Sequence, residues 1–211
     1  MALDRGVERV IALSTDKASS PINLYGATKL VSDKLFVAAN AYAGTHKTRF
    51  SVVRYGNVVG SRGSVVPLFR RAAASGAIPL TDPRMTRFWI TLDEGVAFVI
   101  RMLGLMRGGE LFVPKIPSMR VTDLAAALAP GARLETVGIR PGEKIHEEMI
   151  SVDDARRTVD AGDFFVIQPD ASWWHGGPDV EHMPVPDDFR YTSDTNDRWL
   201  TVEELRAMAD A

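Results

Sequence analysis

Residues 9 to 60 alternate a short apolar run, a long helical pattern and a second short apolar run. The first run is Val10 to Leu13, and the second is "RFSVVRYGNVVGS", which is too short for a helix and is interrupted by Gly56 and Gly60. Between them, apolar residues recur at helical spacing: Leu24, Ala27, Val31, Leu35, Ala38 and Tyr42. A strand, a helix and a strand in this order predict an α/β architecture with a parallel sheet.

Local signals predict where this helix begins, where it ends and which face it buries. Ser20 can cap the amino terminus, and Pro21 suits the first turn. Gly44 is placed to end the helix. We expect the apolar stripe given above to be the buried face. Near the end of the chain, Thr201 and Glu204 have the spacing of a capping box, which predicts the start of a last helix.

Composition argues against several classes of function. The chain has 211 residues, of which 45% are hydrophobic and 25% charged, and its net charge of -2 gives no general attraction to nucleic acid or to an anionic membrane. No apolar run approaches the roughly 18 residues of a membrane-spanning helix. There is no cysteine, which excludes disulfides and fits a reducing compartment, and because the sequence also shows no signal-like amino terminus we expect a cytoplasmic protein. The four histidines lie far apart, so we expect no metal site.

The stretch "STDKASSPINLYGATK", residues 14–29, follows the first apolar strand and carries several reactive side chains. Tyr25 and Lys29 are four residues apart and therefore share one helix face. A tyrosine has a pKa near 10 and needs a drop of about 3 units to act as a base near neutrality, which an ammonium about 4 Å away supplies at an effective dielectric of about 20. Thr15 or Ser14 could then hold the reacting oxygen of a substrate.

This stretch has a functional and a purely structural interpretation. Open parallel sheets bind ligands at the carboxyl ends of their strands, so the position of residues 14–29 predicts a reaction centre. The alternative is a helix whose exposed face happens to carry a tyrosine and a lysine. For Asp16 and Lys17 the alternative is a solvated surface pair.

The same stretch resembles the extended short-chain dehydrogenase/reductase superfamily, and within it the inverting UDP-N-acetylglucosamine 4,6-dehydratases of pseudaminic acid synthesis. The resemblance rests on "ALSTDKA", "PINLYGATK", "RYGNVVGSRGSVVP", "TDPRMTRFWIT", "RPGEKIHEEMIS" and "WLTVEEL", which together cover nearly the whole chain. Retaining nucleotide-sugar dehydratases carry Thr-Asp-Glu at the end of the strand. This sequence reads Thr15-Asp16-Lys17, as the inverting family does.

The resemblance implies a catalytic role for five residues. Tyr25, supported by Thr15 and Lys29, would take the proton of the carbon 4 hydroxyl while a hydride passes to NADP. Lys17 would then remove the carbon 5 proton, and Asp16 would protonate the leaving hydroxyl of carbon 6. Return of the hydride to carbon 6, and of a proton to the opposite face of carbon 5, would complete a dehydration with inversion.

The resemblance also implies which residues bind the cofactor and the substrate. NADP would contact Tyr25 and Lys29 together with Tyr55 and Gly56. Six further residues would bind the UDP-sugar: Asn57, Leu80, Thr81, Arg87, Arg140 and Glu143. The two arginines suit a diphosphate because their donors are planar and forked, the leucine and threonine would line the uracil pocket, and the glutamate would bind the ribose hydroxyls. Plainer readings are a turn-forming asparagine and surface arginines.

The chain departs from the family pattern in one large respect. No G-x-G-x-x-G or G-x-x-x-x-G-K motif occurs, and about 110 to 120 residues of a mononucleotide-binding half look absent. We therefore expect an incomplete Rossmann-like parallel sheet without its amino-terminal half. Residues 1–60 would be the carboxy-terminal part of this sheet domain, and residues 61–211 mainly a smaller α/β substrate-binding lobe interleaved with it.

Such a chain should be a homo-oligomer or need a partner chain that completes the sheet, because inner strands would otherwise lack neighbours. We expect it to be weakly active or inactive alone. Two alternatives to the dehydratase stay open. One is a non-catalytic nucleotide-sugar binding or assembly module that keeps the site residues, and the other is a nucleotide-sugar 4-epimerase.

Overall fold

A computed structural model describes residues 1–61, 65–73, 76–174 and 180–210. Its strands are β1 Arg9–Thr15, β2 Arg49–Tyr55, β3 Asn57–Val58, β4 Ala77–Leu80, β5 Thr86–Ile90, β6 Leu111–Pro114, β7 Ser118–Arg120, β8 Arg133–Thr136, β9 Glu148–Ile150, β10 Thr158–Asp160, β11 Phe164–Ile167, β12 Met183–Pro184 and β13 Tyr191–Thr192. Its α-helices are α1 Leu24–Tyr42, α2 Val65–Ala73, α3 Leu92–Leu105, α4 Val121–Leu128, α5 Val152–Ala155 and α6 Val202–Asp210. Short 3-10 helices cover Leu3–Arg5 and Asp16–Ala18.

The chain forms two compact units, and the first comprises residues 1–55, 94–115 and 148–191. Its six-stranded sheet has the order β1-β2-β6-β11-β10-β12. The first three strands are parallel, and the others are antiparallel to their neighbours. In the β1–β2 register Thr15 lies opposite Tyr55, so the carboxyl ends of both strands meet at one edge. The α/β prediction with a parallel sheet is confirmed.

The helix α1 turns a different face to the sheet from the one that its apolar pattern predicts. All six residues of the predicted buried stripe are exposed, and Leu24 and Tyr42 each expose 81% of their surface. The buried residues of α1 are Gly26 and Asp33, and Phe36 packs on Phe50 of β2 with ring centroids 6.2 Å apart. The prediction was wrong because a glycine and an aspartate, not the residues of the apolar stripe, occupy the buried positions of α1.

The start of α1 also differs from the prediction, whereas its end agrees. Asn23 caps the helix, and its Oδ1 accepts a hydrogen bond of 2.8 Å from the backbone N–H of Gly26. Ser20 is not the cap, because its hydroxyl donates to Glu148 at 2.6 Å. At the other end Gly44 has a φ of 54°, the left-handed conformation that commonly follows a helix.

A buried ion pair ties α1 to the sheet of the first unit. Arg54 of β2 donates from Nη2 to Asp33 Oδ2 at 3.1 Å and from Nη1 to the carbonyl of Met149 at 2.8 Å. Ser14 at the end of β1 donates to the same Asp33 oxygen at 2.8 Å. Removing one partner of such a buried pair typically costs about 3 to 5 kcal/mol. The network therefore fixes the position of α1 relative to β1 and β2.

The second unit comprises residues 56–93, 116–147 and 192–211. It contains the three-stranded sheet β3-β5-β7 and the parallel pair β4-β8. Its core is formed by buried residues that include Ile78, Leu80, Trp89, Leu124 and Leu205. Within the range 61–211, which we expected to be mainly a lobe interleaved with the sheet domain, residues 94–115 and 148–191 lie in the first unit, because β6 and β11 extend its sheet.

The predicted capping box at α6 is confirmed. The backbone N–H of Thr201 donates to Glu204 at 2.8 Å, and the backbone N–H of Glu204 donates to the Thr201 hydroxyl at 3.2 Å. Within the described ranges, no helix has the length and apolar character needed to cross a membrane.

Candidate active site

The turn after β1 holds a buried carboxylate next to a lysine. Asp16 is fully buried, and its Oδ1 accepts hydrogen bonds from the Thr15 hydroxyl at 2.7 Å and from Lys17 Nζ at 3.0 Å. Its second oxygen, Oδ2, is buried and has no hydrogen-bond partner among the residues that the structure describes. Buried polar atoms are nearly always paired, so an unpaired carboxylate oxygen marks a place where a ligand group can bind.

This turn lies directly against the first turn of α1. A Cβ atom added to Gly26 would be 2.2 Å from the carbonyl oxygen of Lys17 and 3.0 Å from Pro21 Cβ. Only a residue without a side chain permits this approach. The backbone of Lys17 is thereby held next to the helical turn that carries Tyr25.

Tyr25 and Lys29 extend from the same helix near the end of β1. Lys29 Nζ donates to the carbonyl oxygen of Leu13 at 2.9 Å, which places its positive charge beside the last residues of that strand. The Tyr25 side chain is 55% exposed and is accessible to a ligand. Tyr25 and Lys29 are four residues apart on α1, so their side chains share one face of the helix.

Tyr55 completes the group of side chains at this edge of the sheet. Partial burial raises the pKa of the Tyr55 phenol above its ordinary value of 10.0, and the charge of an ionised Tyr25 raises it further. The first unit therefore brings together six residues that the sequence analysis assigned to catalysis or cofactor binding: Thr15, Asp16, Lys17, Tyr25, Lys29 and Tyr55.

The remaining predicted residues belong to the second unit, and they differ in burial and in their contacts. A Cβ atom added to Gly56 would be 2.4 Å from Phe88 Cβ, so packing within the unit requires this glycine. Asn57 Oδ1 is buried and lacks a hydrogen-bond partner in the described part of the chain. Leu80 is 1% exposed and packs in the hydrophobic core, and Thr81 after it is partly buried.

The two predicted arginines have different surroundings. Arg87 donates from Nη1 to the carbonyl of Ile145 at 2.9 Å and from Nη2 to that of Lys144 at 3.0 Å. It thus holds the backbone that follows Arg140 and Glu143, a structural role that sequence reasoning missed. Arg140 is exposed, and its Nη1 lies 3.8 Å from Glu143 Oε1.

Sequence reasoning also missed the residues that hold the turn between Lys17 and Tyr25. Glu148 accepts hydrogen bonds from the hydroxyls of Ser19 and Ser20 and from Arg190. These partners are far apart in the sequence, so no local pattern could have indicated them. Two parts of the sequence discussed above, residues 62–64 within "RYGNVVGSRGSVVP" and His175, lie outside the described residues.

The chain is similar to a described protein family and to several known proteins. The model of a family described as polysaccharide biosynthesis protein matches residues 1–169. An inverting UDP-N-acetylglucosamine 4,6-dehydratase from Campylobacter jejuni is 53% identical over 96% of this chain and 63% of its own length. Pen from Bacillus thuringiensis, a solved structure, has a TM-score of 0.85 at 33% identity and matches over 98% of this chain and 64% of its own.

A more distant solved structure is that of DesIV, a dTDP-glucose 4,6-dehydratase from Streptomyces venezuelae with NAD bound. It has a TM-score of 0.59 at 25% identity, over 68% of this chain and 52% of its own. The chain spans about 63% of the length of the Campylobacter jejuni dehydratase. The family match covers most of the chain, including both the turn after β1 and α1. The chain belongs to the polysaccharide biosynthesis protein family.

Proposed function

We propose that this chain carries the reaction centre of an NADP-dependent UDP-N-acetylglucosamine 4,6-dehydratase that inverts carbon 5. The observation that carries the proposal is the pair formed by the buried Asp16 and the partly exposed Lys17, held against the helical turn that bears Tyr25. The Campylobacter jejuni relative, which is named for this reaction, supports it. A simple epimerase would need only the tyrosine and lysine of α1, not the pair in the turn.

In this proposal Tyr25 removes the proton of the carbon 4 hydroxyl. Thr15 holds the same substrate oxygen, and Lys29, whose Nζ donates to the Leu13 carbonyl near the end of β1, is assigned to support Tyr25. Oxidation of carbon 4 to a ketone makes the neighbouring carbon 5 proton acidic. The alignment of Thr15 with Tyr55 in the sheet keeps these groups at one edge.

The elimination step is assigned to Lys17 and Asp16. Lys17 removes the proton from carbon 5, and Asp16 gives a proton to the hydroxyl on carbon 6, so that water leaves and a double bond forms between the two carbons. The unpaired Asp16 Oδ2 is the oxygen we assign to the leaving hydroxyl. A proton then returns to carbon 5 on the opposite face, which gives the inverted product.

The residues of the first unit fit a nicotinamide dinucleotide. Tyr25 offers an exposed phenol, and Lys29 on the same face offers N–H donors to ribose hydroxyls. A bound nicotinamide would supply reversible hydride transfer, from carbon 4 in the oxidation and to carbon 6 in the final reduction. DesIV was solved with NAD, and we propose NADP here from the resemblance to the inverting dehydratases.

We propose that the second unit binds the UDP part of the substrate. Arg140 is exposed and can bind the diphosphate, and Glu143 can accept from the ribose hydroxyls. Asn57 has an unpaired buried oxygen that can accept from the sugar. Arg87 is also assigned to the diphosphate, and its hydrogen bonds to the carbonyls of Lys144 and Ile145 hold the backbone next to Glu143. Thr81 and the backbone of Leu80 are assigned to the uracil ring.

We also propose that the protein works as a homo-oligomer or with a partner chain that completes the sheet. β1 is an edge strand in the sheet of the first unit, and the exposed stripe of α1 leaves a row of apolar side chains uncovered. Apolar patches of this kind usually mark an interaction surface.

The test of the proposed reaction is product analysis in deuterated water. The chain at high concentration is incubated with UDP-N-acetylglucosamine and NADP, and the sugar is followed by proton NMR. We expect a 4-keto-6-deoxy product that carries deuterium at carbon 5, formed slowly. A changed carbon 4 configuration with the 6-hydroxyl retained would favour an epimerase. Unchanged sugar together with UDP binding in calorimetry would favour a binding module.

A further inference from the structure

The turn between β1 and α1 contains a strained residue. Ser20 has a φ of 42°, and it is the one non-glycine residue with a positive φ in the part of the chain that the structure describes. Side chains disfavour this conformation, which persists only where surrounding contacts enforce it. Strain of this kind is concentrated at functional sites, so the contacts that hold Ser20 are of interest.

Those contacts come from one buried carboxylate. Glu148 Oε1 accepts hydrogen bonds from the Ser20 hydroxyl at 2.6 Å and from the Ser19 hydroxyl at 3.1 Å. Its Oε2 accepts from Arg190 at 3.2 Å from Nε and 2.8 Å from Nη2. Glu148 lies on β9, in the same compact unit as its partners. The arginine therefore holds the carboxylate on one side while the carboxylate holds the turn on the other.

The hydrogen bonds of Glu148 to Ser19, Ser20 and Arg190, called the Glu148 clamp below, lie between two parts of the candidate site. Ser19 and Ser20 follow the 3-10 helix that contains Asp16 and Lys17, and α1 with Tyr25 begins four residues after Ser20. Any relaxation of Ser20 must therefore move the two groups of reactive side chains relative to each other.

We propose that Glu148 is a positioning residue that, together with Arg190, clamps Ser19 and Ser20 and thereby fixes Lys17 relative to Tyr25. The clamp does not touch the substrate in this account. Its importance for catalysis rests on the function proposed above for Lys17 and Tyr25. The positioning itself can be measured without turnover.

The test measures how fast the Lys17 amine reacts with acetic anhydride as a function of pH, with peptide mass spectrometry to quantify the modified residue. In the wild-type chain Lys17 Nζ donates to the buried Asp16 carboxylate at 3.0 Å and its side chain is only 33% exposed, which restricts the access of the reagent to the amine and slows its acetylation. Glu148→Gln removes the charge that holds Arg190 and weakens the bond to Ser20. We expect Lys17 acetylation to become severalfold faster and its pH profile to approach that of Lys34, which is exposed on α1.

Two comparisons separate positioning from a general loss of stability. Glu110 is also fully buried in the first unit and accepts from Ser51 at 2.6 Å and from the Gly108 N–H at 2.7 Å, so Glu110→Gln is the matched control. The control Glu110→Gln should leave the pH profile of Lys17 acetylation unchanged.

The second comparison uses two variants of Ser20. Ser20→Ala removes the hydrogen bond to Glu148 and keeps a side chain at a position with positive φ, so it should act like Glu148→Gln. Ser20→Gly removes both and should stay closer to wild type.

The outcomes are distinct. An unchanged Lys17 profile in both Glu148→Gln and Ser20→Ala would overturn the proposal, and so would an equal change in Glu110→Gln. A Lys17 profile that changes in Glu148→Gln and in Ser20→Ala, but not in Glu110→Gln, would support the proposal. This holds whether or not the wild-type chain forms a product, so a failure of the proposed dehydratase activity would be recognised separately.

Discussion

Gly26 is the residue on which the geometry of the candidate site most directly depends. A methyl group at this position would overlap the carbonyl oxygen of Lys17 at 2.2 Å, and neither of the two backbones can give way cheaply. The glycine also supplies the backbone N–H that Asn23 caps. One residue therefore supports both the start of α1 and its contact with the turn that contains Lys17.

Substitution of Gly26 should cost far more than substitution of a comparable helical glycine. We expect Gly26→Ala to lower the free energy of unfolding by about 2 to 3 kcal/mol, because the clash forces backbone shifts. Gly104 lies in α3 with nothing within 4 Å of its added Cβ, and Gly104→Ala should raise that free energy by about 0.5 to 1 kcal/mol. Urea denaturation followed by circular dichroism measures both. Equal effects would contradict the assigned contact.

The Glu148 clamp should make stability depend on pH in the acidic range. Burial alone raises the pKa of Glu148, but hydrogen bonds from Ser20 and Arg190 outweigh it and lower the pKa below the ordinary value of 4.5. A lowered carboxylate pKa contributes stability that is complete above 4.5 and is lost as the pH falls through the folded value.

We therefore expect the difference in unfolding free energy between wild type and Glu148→Gln to be constant above about pH 5.5 and to shrink as the pH falls below 4.5. Denaturation at a series of pH values gives this difference. A difference that grows toward low pH would show that the carboxylate is destabilised by its surroundings.

The helix α1 shows which parts of an element can be predicted from the sequence and which cannot. Its existence, the flanking strands and the glycine at its end follow from local patterns, and so does the capping box of α6. Its cap could not be predicted, because Ser20 and Asn23 are both good capping residues and the choice depends on Glu148, more than a hundred residues away. The inward face could not be predicted because Asp33 is paired with Arg54.

The candidate site shows the same division. Residues 15–17, 25 and 29 are close in the sequence, so their motif predicts a shared site. The packing role of Gly56 against Phe88 depends on a distant strand and left no local signal. The same is true of Arg87, whose partners include two backbone carbonyls more than fifty residues away.

The exposed stripe of α1 should govern association rather than the stability of the single chain. Leu35 is 65% exposed, so Leu35→Glu should change the free energy of unfolding of the monomer by less than about 0.5 kcal/mol. It should lower the molar mass measured by light scattering after size-exclusion chromatography. Lys34→Glu, beside it on the helix, is the charge control. An unchanged mass in Leu35→Glu would argue against this face as the interface.

At the scale of the whole molecule, the proposed catalytic and binding roles are assigned to different compact units. The first unit holds the groups assigned to proton transfer, and the second holds those assigned to the UDP part of the substrate. Because the proton transfer at carbon 5 is assigned to groups of the first unit alone, that assignment can be tested by following this single chemical step with an isotopic label.

The most direct measurement is the loss of deuterium from UDP-N-acetylglucosamine labelled at carbon 5, incubated with NADP and followed by mass spectrometry. We expect the wild-type chain and Lys34→Met to release the label to water at similar rates, whereas Lys17→Met should not release it. Release of the label by Lys17→Met at the wild-type rate would contradict the assignment of Lys17 as the base at carbon 5.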